Sequence, residues 1–172
     1  TSCEGCDDLS KHLRTALESF TLLVKLDLSH NKTIVNDQIV LTITQNSPYL
    51  EQFELKNCAK ITDFCFAHGA NSYCIDNSRQ CEQPKFVAGL VLLSSLKSLG
   101  LSGTSISDYG LLEFSQHSKS CHVIEELILN GCKNITDDGI EKILDNCNSL
   151  NILSFSKCEN VSMTSVTKLS DY

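Results

Sequence analysis

The sequence has no tryptophan, one methionine and two prolines, and only 6% of its 172 residues are aromatic. Its longest uncharged apolar run, residues 86–96, is far shorter than the roughly 20 residues that a membrane-spanning helix needs. G-x-S-x-G, H-E-x-x-H, P-loop and dinucleotide-binding motifs are also missing. We therefore expect no enzyme activity, no catalytic residues and no cofactor.

Positive charge is also scarce, since 14 Lys and Arg stand against 21 Asp and Glu and give a net charge of −7. Nucleic acids and anionic membranes attract cationic surfaces, so neither is an expected partner. The chain is 41% hydrophobic and long enough to bury a core without disulfides.

What the sequence does contain is an internal repeat. Segments that begin at residues 23, 50, 96, 124 and 150 follow the pattern L-x-x-L-x-L-x-x-(C/N/T). This is the signature of leucine-rich repeats, in which each unit supplies one strand and one helix. We predict one α/β solenoid over residues 1–172, a right-handed superhelix with a parallel concave sheet and convex helices. Residues 1–22 read as a partial repeat, so we expect a longer array.

The second half of each unit also repeats. In the fourth unit Ile140, Ile143, Leu144 and Cys147 recur at the spacing of one helical face. A Thr/Ser-Asp pair precedes this face, and such residues cap helices and favour the positive end of the helix dipole. We interpret the recurring aspartates as helix caps rather than as catalytic carboxylates; they are Asp37, Asp63, Asp108 and Asp137.

Residues 132–140, C-K-N-I-T-D-D-G-I, and residues 58–63, C-A-K-I-T-D, carry a family resemblance. They resemble the cysteine-containing leucine-rich repeats of F-box/LRR proteins and their AMN-like relatives. Asn31 and Thr104 depart from this pattern at the cysteine position, and Met163 departs at the aspartate. The resemblance implies substrate recognition for an SCF-type ubiquitin ligase. A ligase adaptor is then a partner only if an F-box lies outside this chain.

The second unit is irregular. Its length from Leu50 to Leu96 is 46 residues, whereas the other units span 26 to 28. The excess lies at about residues 64–83, and long loops of this kind either bind something or are disordered. Apolar residues at helical spacing resume at Phe86, so we predict a helix with Pro84 in its first turn.

Ten cysteines are many for this length. Cys58, Cys132 and Cys158 recur at the end of the predicted strands, and Cys147 lies on the helical stripe. We interpret these four as buried structural thiols, because cysteine packs well as a small apolar residue. Free thiols persist in reducing compartments, so a cytoplasmic or nuclear location is expected.

The insertion offers a different chemistry. Cys65, His68, Cys74 and Cys81 form a valid zinc ligand set, but their spacing matches no standard zinc motif. No metal is therefore predicted, although these four stay the candidates. In an alternative interpretation the chain is a secreted or surface receptor fragment, in which Cys3 with Cys6 and Cys74 with Cys81 form disulfide bridges. Three N-x-S/T sequons and the even cysteine count favour that interpretation.

The outward-facing strand residues and the turns that follow them are the expected protein-binding surface. The third strand carries only Ser and Gly outward and could accept a protruding partner side chain. Besides the ligase role, an intracellular adaptor or assembly protein remains possible. The candidate binding residues are Lys25, Asp27, His30, Gln52, Glu54, Lys56, Asn57, Glu126, Asn130 and Lys157.

Overall fold

The computed structural model describes residues 20–66 and 89–162, together with His12, Ala16 and the backbone of residues 68, 69, 87 and 88. Strands and helices alternate along these residues, and two 3₁₀ helices cover Asp63–Phe66 and Leu90–Leu92. The described elements are β1 Lys25–Asp27, α1 Asp37–Asn46, β2 Gln52–Glu54, β3 His68–Gly69, β4 Val87–Ala88, β5 Ser98–Gly100, α2 Asp108–His117, β6 Glu126–Ile128, α3 Asp137–Asn146 and β7 Ile152–Ser154.

Five strands form one parallel sheet in the order β1-β2-β5-β6-β7. In this sheet Leu26, Phe53, Leu99, Leu127 and Leu153 are register partners on consecutive strands. Their side chains point to the helices and form a continuous apolar row, because alternate residues of a strand face opposite sides. The predicted α/β solenoid is confirmed. The strands lie in the repeats that begin near residues 23, 50, 96, 124 and 150.

The predicted partial repeat at residues 1–22 lies mostly outside the described residues. His12 and Ala16 are helical. No helix among the described residues combines the length and the apolar character needed to cross a bilayer.

A column of buried side chains closes the turn after each strand. Cys58, Cys132 and Cys158 are buried, and each thiol donates to a backbone carbonyl of the preceding repeat at 3.1–3.2 Å. Burial raises the pKa of all three thiols, so they remain protonated donors. Asn31 and Thr104 replace cysteine and donate to a carbonyl of their own repeat instead, at 2.8 and 2.7 Å. These cysteines are structural, as predicted.

The recurring aspartates link neighbouring repeats. Each stands at the first helical residue of its unit, and its carboxylate accepts the backbone N–H of a residue one repeat further along, at 2.7–2.8 Å. In three of the pairs the same carboxylate also accepts the Ser or Thr hydroxyl, at 2.6–2.7 Å. The pairs are Asp37 with Thr62, Asp63 with Ser107, Asp108 with Thr136, and Asp137 with Ser162.

This arrangement corrects the role expected for the aspartates. The helix caps are the residues before them: Asn36 accepts from the Ile39 N–H, and Ser107 and Thr136 cap α2 and α3 in the same way. A residue at the first helical position has already turned its side chain away from the free N–H groups of its own helix. Its carboxylate therefore bonds to the neighbouring repeat.

The second repeat also differs from expectation. Pro84 and Phe86 lie outside the described residues; from residue 87, where the description resumes, to β5 the structure has β4 and the 3₁₀ helix Leu90–Leu92 and no α-helix. Strand β4 pairs antiparallel with β3, which joins the two ends of the insertion. Leu90, Leu93 and Leu96, which continue the predicted apolar spacing after Phe86, are still buried in the core. Apolar spacing therefore identified the buried residues of this segment and not its backbone conformation.

Asp37 makes the stability depend on pH. Its side chain is 9% exposed, and burial raises the pKa of this carboxyl above its usual 3.8, while the hydrogen bonds from Thr62 act in the opposite direction. The folded state then holds the proton to higher pH than the unfolded state does, so this group contributes less stability as pH rises above about 4.

Asp37→Asn stays neutral and can still accept from the Thr62 N–H. Urea unfolding from pH 4 to 7 should show the variant gaining stability relative to the wild type; parallel pH curves would contradict this.

Candidate protein-binding surface

The outer side of the parallel sheet presents two rows of side chains, one from the first and one from the third residue of each strand. We call these two rows the sheet face. The parallel register aligns them strand by strand. The first row is Lys25, Gln52, Ser98, Glu126 and Ile152, and the second row is Asp27, Glu54, Gly100, Ile128 and Ser154.

Strand β5 is covered by its two neighbours. The carboxylate of Glu54 lies over Gly100, so that any side chain at position 100 would overlap it. On the other side, the Ser98 hydroxyl donates to Glu126 Oε2 at 2.7 Å. Ser98 and Ser102 are buried as a result. The Ser/Gly strand is thus no open socket for a partner side chain, because long side chains from adjacent strands fill the space above small residues.

Three carboxylates lie close together on this surface. Burial raises the pKa of Glu54, the negative charges of Asp27 and Glu126 raise it further, and the positive charge of Lys56 acts in the opposite direction. Asp27 is almost fully solvated, and hydrogen bonds from Ser29 lower the pKa of its carboxyl. We call Asp27, Glu54 and Glu126 the acidic strip. Since the strip repels its own charges, a cation placed over it would relieve that repulsion.

Apolar residues flank the acidic strip on its C-terminal side. Ile152 is 51% exposed and Ile128 is half-buried, although both occupy outward positions of their strands. Neither was among the candidates chosen from the sequence. The sequence could have indicated both residues, because an apolar residue at an outward strand position is unusual in a sheet that has one face in solvent. Lys25 and Gln52, which were chosen, lie exposed at the other end of the same row.

The turns after the strands hold the remaining candidates. His30, Asn57 and Lys157 adopt left-handed backbone conformations with φ of 68°, 59° and 62°. The Asn57 amide nitrogen lies 3.2 Å from His30 Nδ1 and links the first two turns. Lys56 and Lys157 are exposed. These side chains form a polar edge beside the sheet face.

Asn130 has a structural role. Its Oδ1 accepts the Ser156 N–H at 2.6 Å and the Ser154 hydroxyl at 2.8 Å, which joins the fourth repeat to the fifth. The oxygen is therefore engaged within the solenoid, and only the amide nitrogen remains to meet a partner.

The four candidate metal ligands are not brought together in the part of the chain that the structure describes. Cys65 is fully buried in the core, and burial raises the pKa of its thiol well above the usual value, which disfavours the thiolate that binds metal. His68 is described by its backbone alone, and Cys74 and Cys81 lie outside the described residues. No group of three or more potential ligands forms among the described side chains.

Comparison with known sequences supports the repeat assignment. A family profile described as "Leucine Rich repeat" matches residues 120–144. Antagonist of mitotic exit network protein 1 of Candida glabrata is 28% identical over 158 residues, which cover 84% of this chain and 30% of that protein. F-box/LRR-repeat protein 4 of Bos taurus is 29% identical over 141 residues, which cover 79% of this chain and 22% of that protein. The chain thus spans less than a third of these relatives.

Solved structures share the fold at low sequence identity. The tropomodulin C-terminal domain of Caenorhabditis elegans superposes with a TM-score of 0.59 and 18% identity, over 99% of this chain and 90% of that one. Leiomodin-1 actin-binding site 2 superposes with a TM-score of 0.54 and 14% identity, over 96% of this chain and 87% of that one. At such identities the likeness concerns the fold alone.

Proposed function

We propose that this chain, which has the fold of a leucine-rich repeat solenoid, is a non-catalytic protein-interaction module that binds its partner on the sheet face. The observation that carries this proposal is the acidic strip beside the exposed Ile152. An interface needs apolar contact area together with charges that select the partner. The sheet face offers both on a rigid support.

The charges of the sheet face are open to a partner. The described residues form ion pairs between Lys97 and Glu51 and between Lys142 and Asp145, and neither of these two pairs involves the acidic strip. Glu54 and Glu126 are held in place by β5 beneath them, so little side-chain entropy is lost when they meet a cation. The partner that fits best presents Lys or Arg beside an apolar residue.

For the longer protein of which such repeats are usually part, we propose substrate recognition in an SCF-type ubiquitin ligase. The similarity to an F-box/LRR-repeat protein and the motif at residues 132–140 support this role. The ligase adaptor would then bind an F-box elsewhere in that protein. We propose a cytoplasmic or nuclear location, supported by the six described cysteines, which are all free thiols.

An adaptor or assembly role without a ligase is the second candidate. It is favoured by the similarity to a protein named as an antagonist of the mitotic exit network, a name that includes no F-box. Both candidates place the partner on the same sheet face. They differ in whether ligase subunits accompany the protein.

The proposal is tested by reversing the acidic strip in the protein as expressed in its own cells. In the double variant Glu54→Lys/Glu126→Lys the charge of the strip changes sign, so partners bound there should be recovered at least tenfold less in quantitative affinity purification. This corresponds to about 1.4 kcal/mol or more of binding free energy. The single variants Glu54→Lys and Glu126→Lys are compared with Glu113→Lys on α2, which makes the same charge change as each of them on the helix side and should retain those partners.

If the acidic-strip variants and Glu113→Lys recover the same partners in equal amounts, the sheet face is excluded as the binding surface. Cullin and adaptor subunits that co-purify with wild type and with all of these variants would support the ligase role. If the partner is recovered and the ligase subunits are absent, the adaptor role is correct and the ligase role is wrong.

A further inference from the structure

Two cysteines of neighbouring repeats lie with their sulfur atoms in contact. Cys121 precedes β6, and Cys147 is the C-terminal cap residue of α3. Both stand three residues before the first apolar residue of a repeat, Ile124 or Leu150, so they occupy equivalent positions in consecutive units. Their Sγ atoms are 3.1 Å apart.

This pair differs from the cysteines at the strand ends. The thiols of Cys132 and Cys158 also belong to neighbouring repeats, but they donate to the backbone carbonyls of Leu101 and Leu129. Cys121 also lies within hydrogen-bond distance of the Ser115 and Asn146 carbonyls, at 3.3 and 3.2 Å, but its sulfur in addition contacts that of Cys147 across the repeat boundary. A disulfide bond is about 2.05 Å long, so their separation exceeds bonding distance by only about 1 Å.

We propose that Cys121 and Cys147 form a redox-modification site, in which a hydroperoxide closes a reversible disulfide between the third and fourth repeats. The fixed proximity of the two sulfurs makes the second step of this reaction intramolecular. The strand-end cysteines lack such a contact and serve as the internal comparison.

The chemistry balances in two steps. One thiol loses its proton, and the thiolate attacks the peroxide oxygen, which breaks the O–O bond and gives a sulfenic acid and hydroxide. The second sulfur then attacks the sulfenic sulfur, which forms the S–S bond and releases water. In total two thiols and one hydrogen peroxide give one disulfide and two waters; the sulfurs are oxidised and the peroxide is reduced. A thiol reductant reverses the bond.

Access sets the rate of this reaction. Cys121 is 2% exposed and Cys147 is 3% exposed, so the peroxide reaches them when the end of α3 opens locally. Burial and the contact with Cys121 raise the pKa of Cys147, which keeps the reactive thiolate scarce. A small oxidant and a slow reaction are therefore expected.

The bridge would join two units that otherwise meet only through their shared interface. Units of a solenoid contact only their neighbours, so a covalent link between the third and fourth repeats stabilises the boundary between the units that carry β5 and β6. The bond would close a loop of 26 residues. Loop closure of this size restricts the unfolded chain and should raise the melting temperature by roughly 5–10 °C.

Peptide mapping of the oxidised full chain tests the bond directly. The folded protein is treated with hydrogen peroxide, remaining thiols are alkylated, and the chain is digested with trypsin and Glu-C together. The second protease is needed because the tryptic peptide 120–133 contains both Cys121 and Cys132; cleavage after Glu125 or Glu126 separates them. We expect a linked peptide pair that joins Cys121 to Cys147 and disappears after reduction. A bond between Cys132 and Cys158 in equal yield, or no bond at Cys121, would overturn the proposal.

The melting temperature gives a second readout. Peroxide should raise it in the wild type and in Cys158→Ala, which removes a cysteine of the other column, and dithiothreitol should restore the original value. Cys147→Ala and Cys121→Ala should show no rise. A rise that persists in both of these variants would assign the effect to other cysteines and refute the proposal.

Discussion

Replacing Phe53 with alanine is expected to lower the free energy of unfolding by about 3–5 kcal/mol, as large truncations in a protein core do. Phe53 is fully buried on β2, and its register partners are Leu26 and Leu99. It is the second of the five side chains in the apolar row that the parallel strands share. Equilibrium unfolding in urea, followed by circular dichroism, measures the loss.

The matched control is Phe64→Ala, which removes the same side chain from a position that is 41% exposed. It should cost no more than about 0.5 kcal/mol, since it leaves no cavity. Similar losses for the two variants would show that Phe53 does not point into the core, and the strand phase on which the sheet face depends would then be wrong.

The second large effect is expected for Asp108→Ala, at about 2–4 kcal/mol. Its carboxylate accepts the Thr136 backbone N–H at 2.8 Å and the Thr136 hydroxyl at 2.7 Å. Hydrogen bonds to a charged acceptor contribute about 1.5–3 kcal/mol each, and their removal leaves two donors unpaired at the repeat boundary. The carboxylate also fills the space beside Gly139, which would become a void.

Asp138→Ala provides the comparison, because this exposed aspartate lies in the first turn of α3. It should cost only about 0.3–1 kcal/mol through the helix dipole. Asp108→Asn should fall between the two, since its amide oxygen can still accept the Thr136 N–H. Urea unfolding measures the free energy of unfolding of all three variants. Equal losses for Asp108→Ala and Asp138→Ala would contradict the role of Asp108 as a link between repeats.

The leucine pattern predicted the strands well for a physical reason. In a parallel sheet of equal units every strand meets the same neighbour in the same register, so one repeated apolar spacing sets both the inward face and the alignment. The buried cysteines at the strand ends followed from the same periodicity. Sequence alone therefore located the sheet face and most residues on it.

Longer side chains and irregular segments were predicted less well. The covering of Gly100 by Glu54 depends on which way a flexible side chain leans, and a residue pattern contains no such information. The aspartates were recognised as a repeating feature and were misassigned as caps, because their partners are one repeat away. Cys121 was not recognised as a partner of Cys147, since the contact joins two loops.

By itself the sequence determined the repeat, the parallel register of its strands, the apolar row and the excess of negative charge, because these follow from local periodicity and composition. Only the tertiary structure decided which carboxylates meet over β5, how the second repeat forms its helix layer and which thiols touch. These features depend on distances between side chains of different repeats, and such distances arise only when the units stack.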